Sequence, residues 1–309
     1  MAASGGVTPS DCRYLSIEKI ENATFVYKMH FNSVGEVQLF LRDDPPRNVA
    51  IFPEYKSETA DPTFAGPKLE QAIAYCIGGY EERYDQFLEF AHQLETINTR
   101  FATGRQVEKS FVGQRPNVPA YVAGAPKTMY RTKRAVEKKV INIYMNVTYP
   151  AGASEEQIQY RGIITLNLIR ILERNDYIVN FRLFEISMIR GEIFVCEVVL
   201  KKPGDKLDSR MCYYPMCGKG FVRRIMARIK ESMPFKGNWG FSYGSVVTED
   251  KAKAIMNISN DDIYIGAPKD MNIKGRNLYE DTDAFLSKLG IEDKIVIPKY
   301  RAEKESMLF

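Results

Sequence analysis

Apolar positions recur along this chain with two periods, and the clearest run of each lies in its second half. Val140 to Val147 reads VINIYMNV, a nearly continuous apolar stretch of the kind that forms a parallel strand buried on both faces. Ser154 and Gln157 then stand at capping-box spacing and open a helix expected to reach about Arg174, apolar over much of its circumference. Ile178 to Ile186 predicts the next strand, Met188 to Gly191 a short turn and Glu192 to Lys201 a third strand. So short a turn joins only antiparallel neighbours, whereas a strand–helix–strand unit returns parallel, so a right-handed crossover followed by a hairpin is expected. Further on, the pattern predicts a basic amphipathic helix over Gly220 to Ser232, a strand at Phe241 to Val247 and a helix from Asp250. A strand at Asp262 to Ile265, a helix from Asp281 and a strand at Lys294 to Ile297 follow.

The first half is patterned less regularly. Thr24 to Phe31 (TFVYKMHF) reads as a strand from its aromatic and β-branched content. Ser33 and Glu36 form another capping box before a helix to Leu41, which Asp43-Asp44-Pro45-Pro46 stops. Val49 to Phe52 predicts a short strand, and Pro67 to Ile77 and Tyr80 to Thr99 predict helices. From Val112 to Arg134, prolines and glycines alternate with Tyr121, Met129 and Tyr130, the composition of an ordered connector. These shifts divide the chain into an N-terminal α+β and helical region (1–111), a connector (112–138) and an α/β domain (139–309) whose doubly wound sheet is mainly parallel.

Composition narrows the setting. Hydrophobic residues make up 45% and charged residues 27%, enough to build a proper core. No run approaches the ~18 apolar residues of a membrane span, so no membrane partner is expected. The five cysteines are odd in number and scattered, which points to reduced thiols and a cytoplasmic location. A net charge of +4 permits contact with nucleic acid without demanding it. The only histidines, His30 and His92, lie in the first third, so no histidine base is expected in the C-terminal half.

A parallel crossover followed by an antiparallel hairpin and returning helices and strands resembles the von Willebrand factor A-like fold. Metal-binding members of that fold end their first strand in D-x-S-x-S, whose oxygens share a divalent cation with a partner's carboxylate. The matching positions here are Asn146, Thr148 and Pro150. The charged ligand is missing, which makes the site degenerate: no cofactor is expected, and the turn is held by Asn and Thr hydrogen bonds. The chain also resembles uncharacterised proteins encoded by bacteriophages and prophages. That resemblance is carried by the segment around Phe31 to Leu41, by the Y-x-x-R-Y-x-Q-F-like helix followed by PNVPAYVAGAPKTMYR at Pro116 to Arg131, and by NVTYPAGASEE at Asn146 to Glu156 with Arg161-Gly162 beyond it. It implies phage origin, and then the host-cell cytoplasm, and brings no activity with it.

The loop Tyr149 to Ser154 lies where a doubly wound sheet places its ligand crevice, before a helix N-terminus that attracts anions. Asn146, Thr148, Ser154 and Asp270 are therefore the candidates for a degenerate metal or anion site. Arg161, about two turns into the helix, is expected to face solvent or another element. Lys219, Arg223, Arg224 and Arg228, with Lys133 and Arg134 ahead of the strand, are the candidates for contact with nucleic acid. The competing reading of the Gly220 helix is a solvated charged face. Cys212 and Cys217 fall short of the four ligands of a structural zinc site. Three functions follow, in this order: a non-catalytic interaction or assembly protein acting on a protein partner, phage or host, or on itself; a nucleic-acid-binding protein; a metal-dependent hydrolase using Asp270.

Overall fold

The computed structural model describes residues 6–20, 24–79, 84–85, 87–89, 92, 107–113, 115–132, 140–174, 177–239 and 243–289. The expected strand at Lys294 to Ile297, most of the helix expected over Tyr80 to Thr99, and Lys133 and Arg134 lie outside these residues. The protein is a mixed α/β structure around a seven-stranded sheet. Its strands are β1 (Leu15–Ile20), β2 (Thr24–Phe31), β6 (Val140–Asn146), β7 (Ile178–Ile189), β8 (Glu192–Lys201), β9 (Ser245–Val246) and β10 (Ile263–Ile265). The hydrogen-bonded order is β1-β2-β8-β7-β6-β10, with the two residues of β9 paired to the far end of β7. Strands β3 (Val107–Ser110), β4 (Arg115–Pro116) and β5 (Met129–Thr132) form a second, antiparallel sheet ordered β3-β5-β4.

The predicted crossover and hairpin are present. Strand β6 pairs parallel with β7 from Val140 opposite Ile178 to Asn146 opposite Phe184, and the helix Glu155–Arg174 connects them. Strand β7 turns through Arg190 and Gly191 into antiparallel β8. Gly191 takes φ +79°, a left-handed conformation that a side chain would strain.

Alternation along the strands makes two cores. On one face, Ile143 and Met145 of β6, Phe181 and Leu183 of β7, Phe194 and Cys196 of β8, and Met29 and Phe31 of β2 meet Ile164, Leu168 and Leu172 of the long helix. On the other, Tyr144, Phe184, Ile186, Val195 and Tyr264 pack against Ala252 of the helix Glu249–Met256. Each fully buried large side chain contributes ~1.5–3 kcal/mol. The long helix also meets the helix Ser209–Cys217 at Gly162, where an added methyl would lie 2.3 Å from Cys217 Sγ. Only glycine lets the two backbones come that close.

One expected strand is corrected, and the two segments ahead of β6 take places that the sequence left open. Residues 1–111 do not keep their strands to themselves: β2 pairs parallel with β8, Phe25 opposite Glu192 through Phe31 opposite Val198, and β1 pairs antiparallel with β2. The N-terminal strands thus complete the C-terminal sheet and cover the edge β8 would otherwise present. The segment 112–138 is no simple connector, since Arg115–Pro116, the helix Val118–Val122 and Met129–Thr132 build the small sheet with β3. Val49 to Phe52 forms a turn rather than a strand. The amides of Ile51 and Phe52 both donate to Asn48 O, which plants the Phe52 side chain in the core.

Candidate functional site

The end of β6 is built from hydrogen bonds that close on themselves. Asn146 and Thr148 are buried at 3% and 7% exposure. Asn146 Oδ1 accepts from the Thr148 amide at 2.9 Å, and Asn146 Nδ2 donates to the Tyr264 hydroxyl at 3.3 Å. Thr148 Oγ1 donates to Ile186 O at 3.2 Å and accepts from Ile186 N at 3.1 Å. The hydroxyl thereby takes the place of a backbone group and carries the pairing with β7 past the strand's end. Asn146 supplies an amide where a cation would need a carboxylate.

Ser154 is occupied locally. Its Oγ accepts from Gln157 N at 3.2 Å and its amide donates to Gln157 Oε1 at 3.0 Å, the reciprocal capping box read from the spacing. Asp270 is exposed on the turn after β10, against Gly266, where an added methyl would meet Asp270 Cβ at 3.2 Å. The structure brings Asn146 and Thr148 together, while Ser154 caps the helix and Asp270 bonds to neither. Among the described residues no three His, Cys, Asp or Glu side chains converge to hold a metal ion.

Arg161 is what the sequence reading missed here. It is fully buried, not at the surface, and Nη1 donates to Asn146 O and Gly266 O, each at 2.9 Å. Helical side chains lean toward the N-terminus of their helix, which is how a residue two turns in reaches back to the ends of β6 and β10. Burial pushes its pKa down to about 10, opposed by Tyr149, Cys217, Tyr264 and Asp270. A single charge inside an otherwise apolar helix surface was the signal available in the sequence.

The cations of the Gly220 segment turn inward. The chain forms a π-helix over Phe221–Met226 and an α-helix over Ala227–Glu231. Arg224, 1% exposed, donates to the carbonyls of Ser57, Glu58, Ala60, Gly66 and Pro67. Arg228, 3% exposed, donates to Asp44, Pro45 O and Ser232. Arg223 bonds Phe64 O and lies over the rings of Phe64 and Tyr149, at 3.8 and 4.9 Å. Lys219 stands 3.8 Å from Glu155, and Lys230 pairs with buried Glu185. The expected charged surface is therefore an interior clamp on the loops from 44 to 67, and Arg224 and Arg228 do not face solvent.

A second polar group spans three strands. His30 of β2, excluded from this half by its place in the sequence, lies opposite Glu197 of β8 and bonds it through Nδ1 at 2.8 Å. Arg182 of β7 donates to the other oxygen of Glu197 at 2.9 Å. The bond to Glu197 raises the His30 pKa, while the hydrogen bonds from His30 and Arg182 outweigh burial and hold Glu197 low. Folded protein thus binds the His30 proton more tightly than unfolded protein. The stabilisation is fully present below about pH 6.5 and is lost as pH rises through the raised folded value. Melting temperature is expected to fall as pH rises above about 6.5, and His30→Gln to flatten that slope; an unchanged slope would count against the pairing.

The five cysteines are buried, free thiols, including Cys212 and Cys217. Among the described residues no helix is long and apolar enough to cross a membrane. Comparison with curated proteins and with solved structures gives no match. Over residues 17–293 the sequence matches the family described as a domain of unknown function, DUF7192, and the chain belongs to that family.

Proposed function

We propose that the chain is a non-catalytic interaction protein that engages a protein partner through the bend and helix carried by the small sheet. One observation carries the reading. Phe111, Val112, Val118, Tyr121 and Val122 are 68%, 75%, 59%, 73% and 80% exposed, all within one short segment. Single exposed apolar residues need no explanation, but such a concentration is typical of a docking surface. Lys109, Arg115 and Lys127 are exposed around it, and Lys127 lies 6.0 Å from the Phe111 ring centre. An apolar centre with a basic rim suits a partner whose rim is acidic and disfavours a second copy of the same surface. The proposal extends to a von Willebrand factor A-like module, supported by the crossover and hairpin, to phage origin, on the motif resemblance alone, and to the cytoplasm, supported by the buried free thiols.

A photo-crosslinking residue at position 121 of the full chain, introduced in cells that naturally make it, is expected to capture one protein reproducibly. Joint replacement of Phe111, Tyr121 and Val122 by serine should abolish capture with little change in melting temperature, since exposed substitutions cost ~0.5 kcal/mol or less each. Undiminished capture by the triple variant would overturn the proposal, as would no capture at all. The second reading, nucleic acid, draws on the same exposed rings and cations. It gains the advantage if single-stranded oligonucleotides bind with an affinity that collapses with salt.

A further inference from the structure

Among the described residues three arginines are fully buried, Arg161, Arg224 and Arg228, and Arg161 is the one that leaves two of its nitrogens without a partner. Arg224 directs Nε, Nη1 and Nη2 at carbonyl oxygens, and Arg228 has a carboxylate. Arg161 uses only Nη1, for the carbonyls that end β6 and follow β10, and its Nε and Nη2 have no hydrogen-bond partner. Those two N–H groups lie on the same edge of the planar guanidinium, pointing the same way. That edge is the fork on which arginine takes two oxygens of one carboxylate or phosphate. Among the described residues no carboxylate pairs with Arg161. The group is a fully buried cation whose fork is unpartnered at the carboxyl ends of two adjacent parallel strands. Water would satisfy the two donors but leave the buried charge unneutralised, a costly state that an oxyanion removes.

We propose that the Nε–Nη2 edge of Arg161 is the floor of an oxyanion site, which takes a ligand through its carboxylate or phosphate group. The loops leaving β6 and β10 flank it, and both reach the surface at Pro150–Gly152 and Lys269–Asp270. Nη1, fixed by the two carbonyls, holds the plane of the fork still, so the ligand group meets a preorganised pair of donors. Asp270, against Gly266, is an acidic group whose charge acts on Arg161. It opposes a bare anion and would favour a ligand that also carries a positive group. The proposal concerns a different part of the molecule from the small sheet and stands or falls apart from it.

The test is titration of the full chain with inorganic phosphate and, separately, with acetate, followed by the ¹⁵N resonance of the Arg161 Nε–H. The resonance should move with saturation for one of the two anions, which identifies the ligand class. Arg161→Lys keeps the charge and loses the fork, and should weaken that binding at least about tenfold, the loss of one charge-assisted hydrogen bond. Asp270→Asn leaves the fold untouched at an exposed position and should tighten it about two- to fivefold by removing a like charge. If Arg161→Lys does not fold, the resonance and the Asp270→Asn comparison decide alone. A resonance that neither anion moves would overturn the proposal.

Discussion

Arg224→Met is expected to cost on the order of 3–5 kcal/mol of folding stability, a large part of what holds an ordinary domain together. The guanidinium is 1% exposed and its partners are five carbonyls between Ser57 and Pro67. Methionine fills a similar volume and supplies none of the donors. Each carbonyl left dry adds ~1–3 kcal/mol if it stays buried, and the segment will relax outward to recover some of that. Arg224→Lys should recover less than half, because one ammonium with three donors cannot serve acceptors spread around a planar fork. The midpoint of urea unfolding measures both. A shift equivalent to less than about 0.5 kcal/mol for Arg224→Met would mean that these bonds are replaced by water at no cost.

Glu192→Ala is expected to be of similar size, on the order of 3–5 kcal/mol, and to leave an optical signature. The carboxylate, 5% exposed, accepts from the Tyr27 hydroxyl at 2.8 Å, Lys236 N at 2.9 Å, Gly237 N at 2.8 Å and Trp239 Nε1 at 2.7 Å. It joins β2, the first residue of β8 and the loop that delivers Trp239 to the core. Without it four donors, two of them buried, lose their acceptor at once. Trp239 is the only tryptophan in the sequence and stacks on Phe235 at 4.3 Å. Native-state emission of the variant should therefore shift to the red. Unshifted emission at full stability would show that Phe235 and the surrounding apolar contacts hold the indole without Glu192.

What the sequence made legible follows from the range over which each signal acts. Strand β6, its capping box and long helix, and the hairpin at Gly191 are set by periodicity and turn chemistry within a few residues, and each is present. The turn held by Asn146 and Thr148 was equally local. The orientation of the segment after Gly220 was not legible, because the partners of Arg224 and Arg228 are mainly backbone carbonyls far back in the chain. A carbonyl leaves no mark in a sequence, so a charged interior clamp and a solvated face read alike. The His30–Glu197 bond spans 167 positions, and nothing local announces it. The small sheet failed for a different reason: strands of two to four residues are too short for a period of two to show. Arg161 lay between these cases. Its position was visible, but its burial depended on where the ends of β6 and β10 fall.

The parallel seam between β2 and β8 also has a consequence in time. Residues that pair across it are separated by about 167 positions, so at a synthesis rate of ~5–20 residues per second the earlier strand waits roughly 8–30 s for the later one. Until then TFVYKMHF has only β1 beside it, and a two-stranded hairpin is marginal in water. A newly made chain thus carries an adhesive, aromatic edge until β8 is made. Folding of the main sheet finishes by closing its longest loop, the slow and aggregation-exposed route. Strands β1 and β2 are made long before β8 and are among the last to settle.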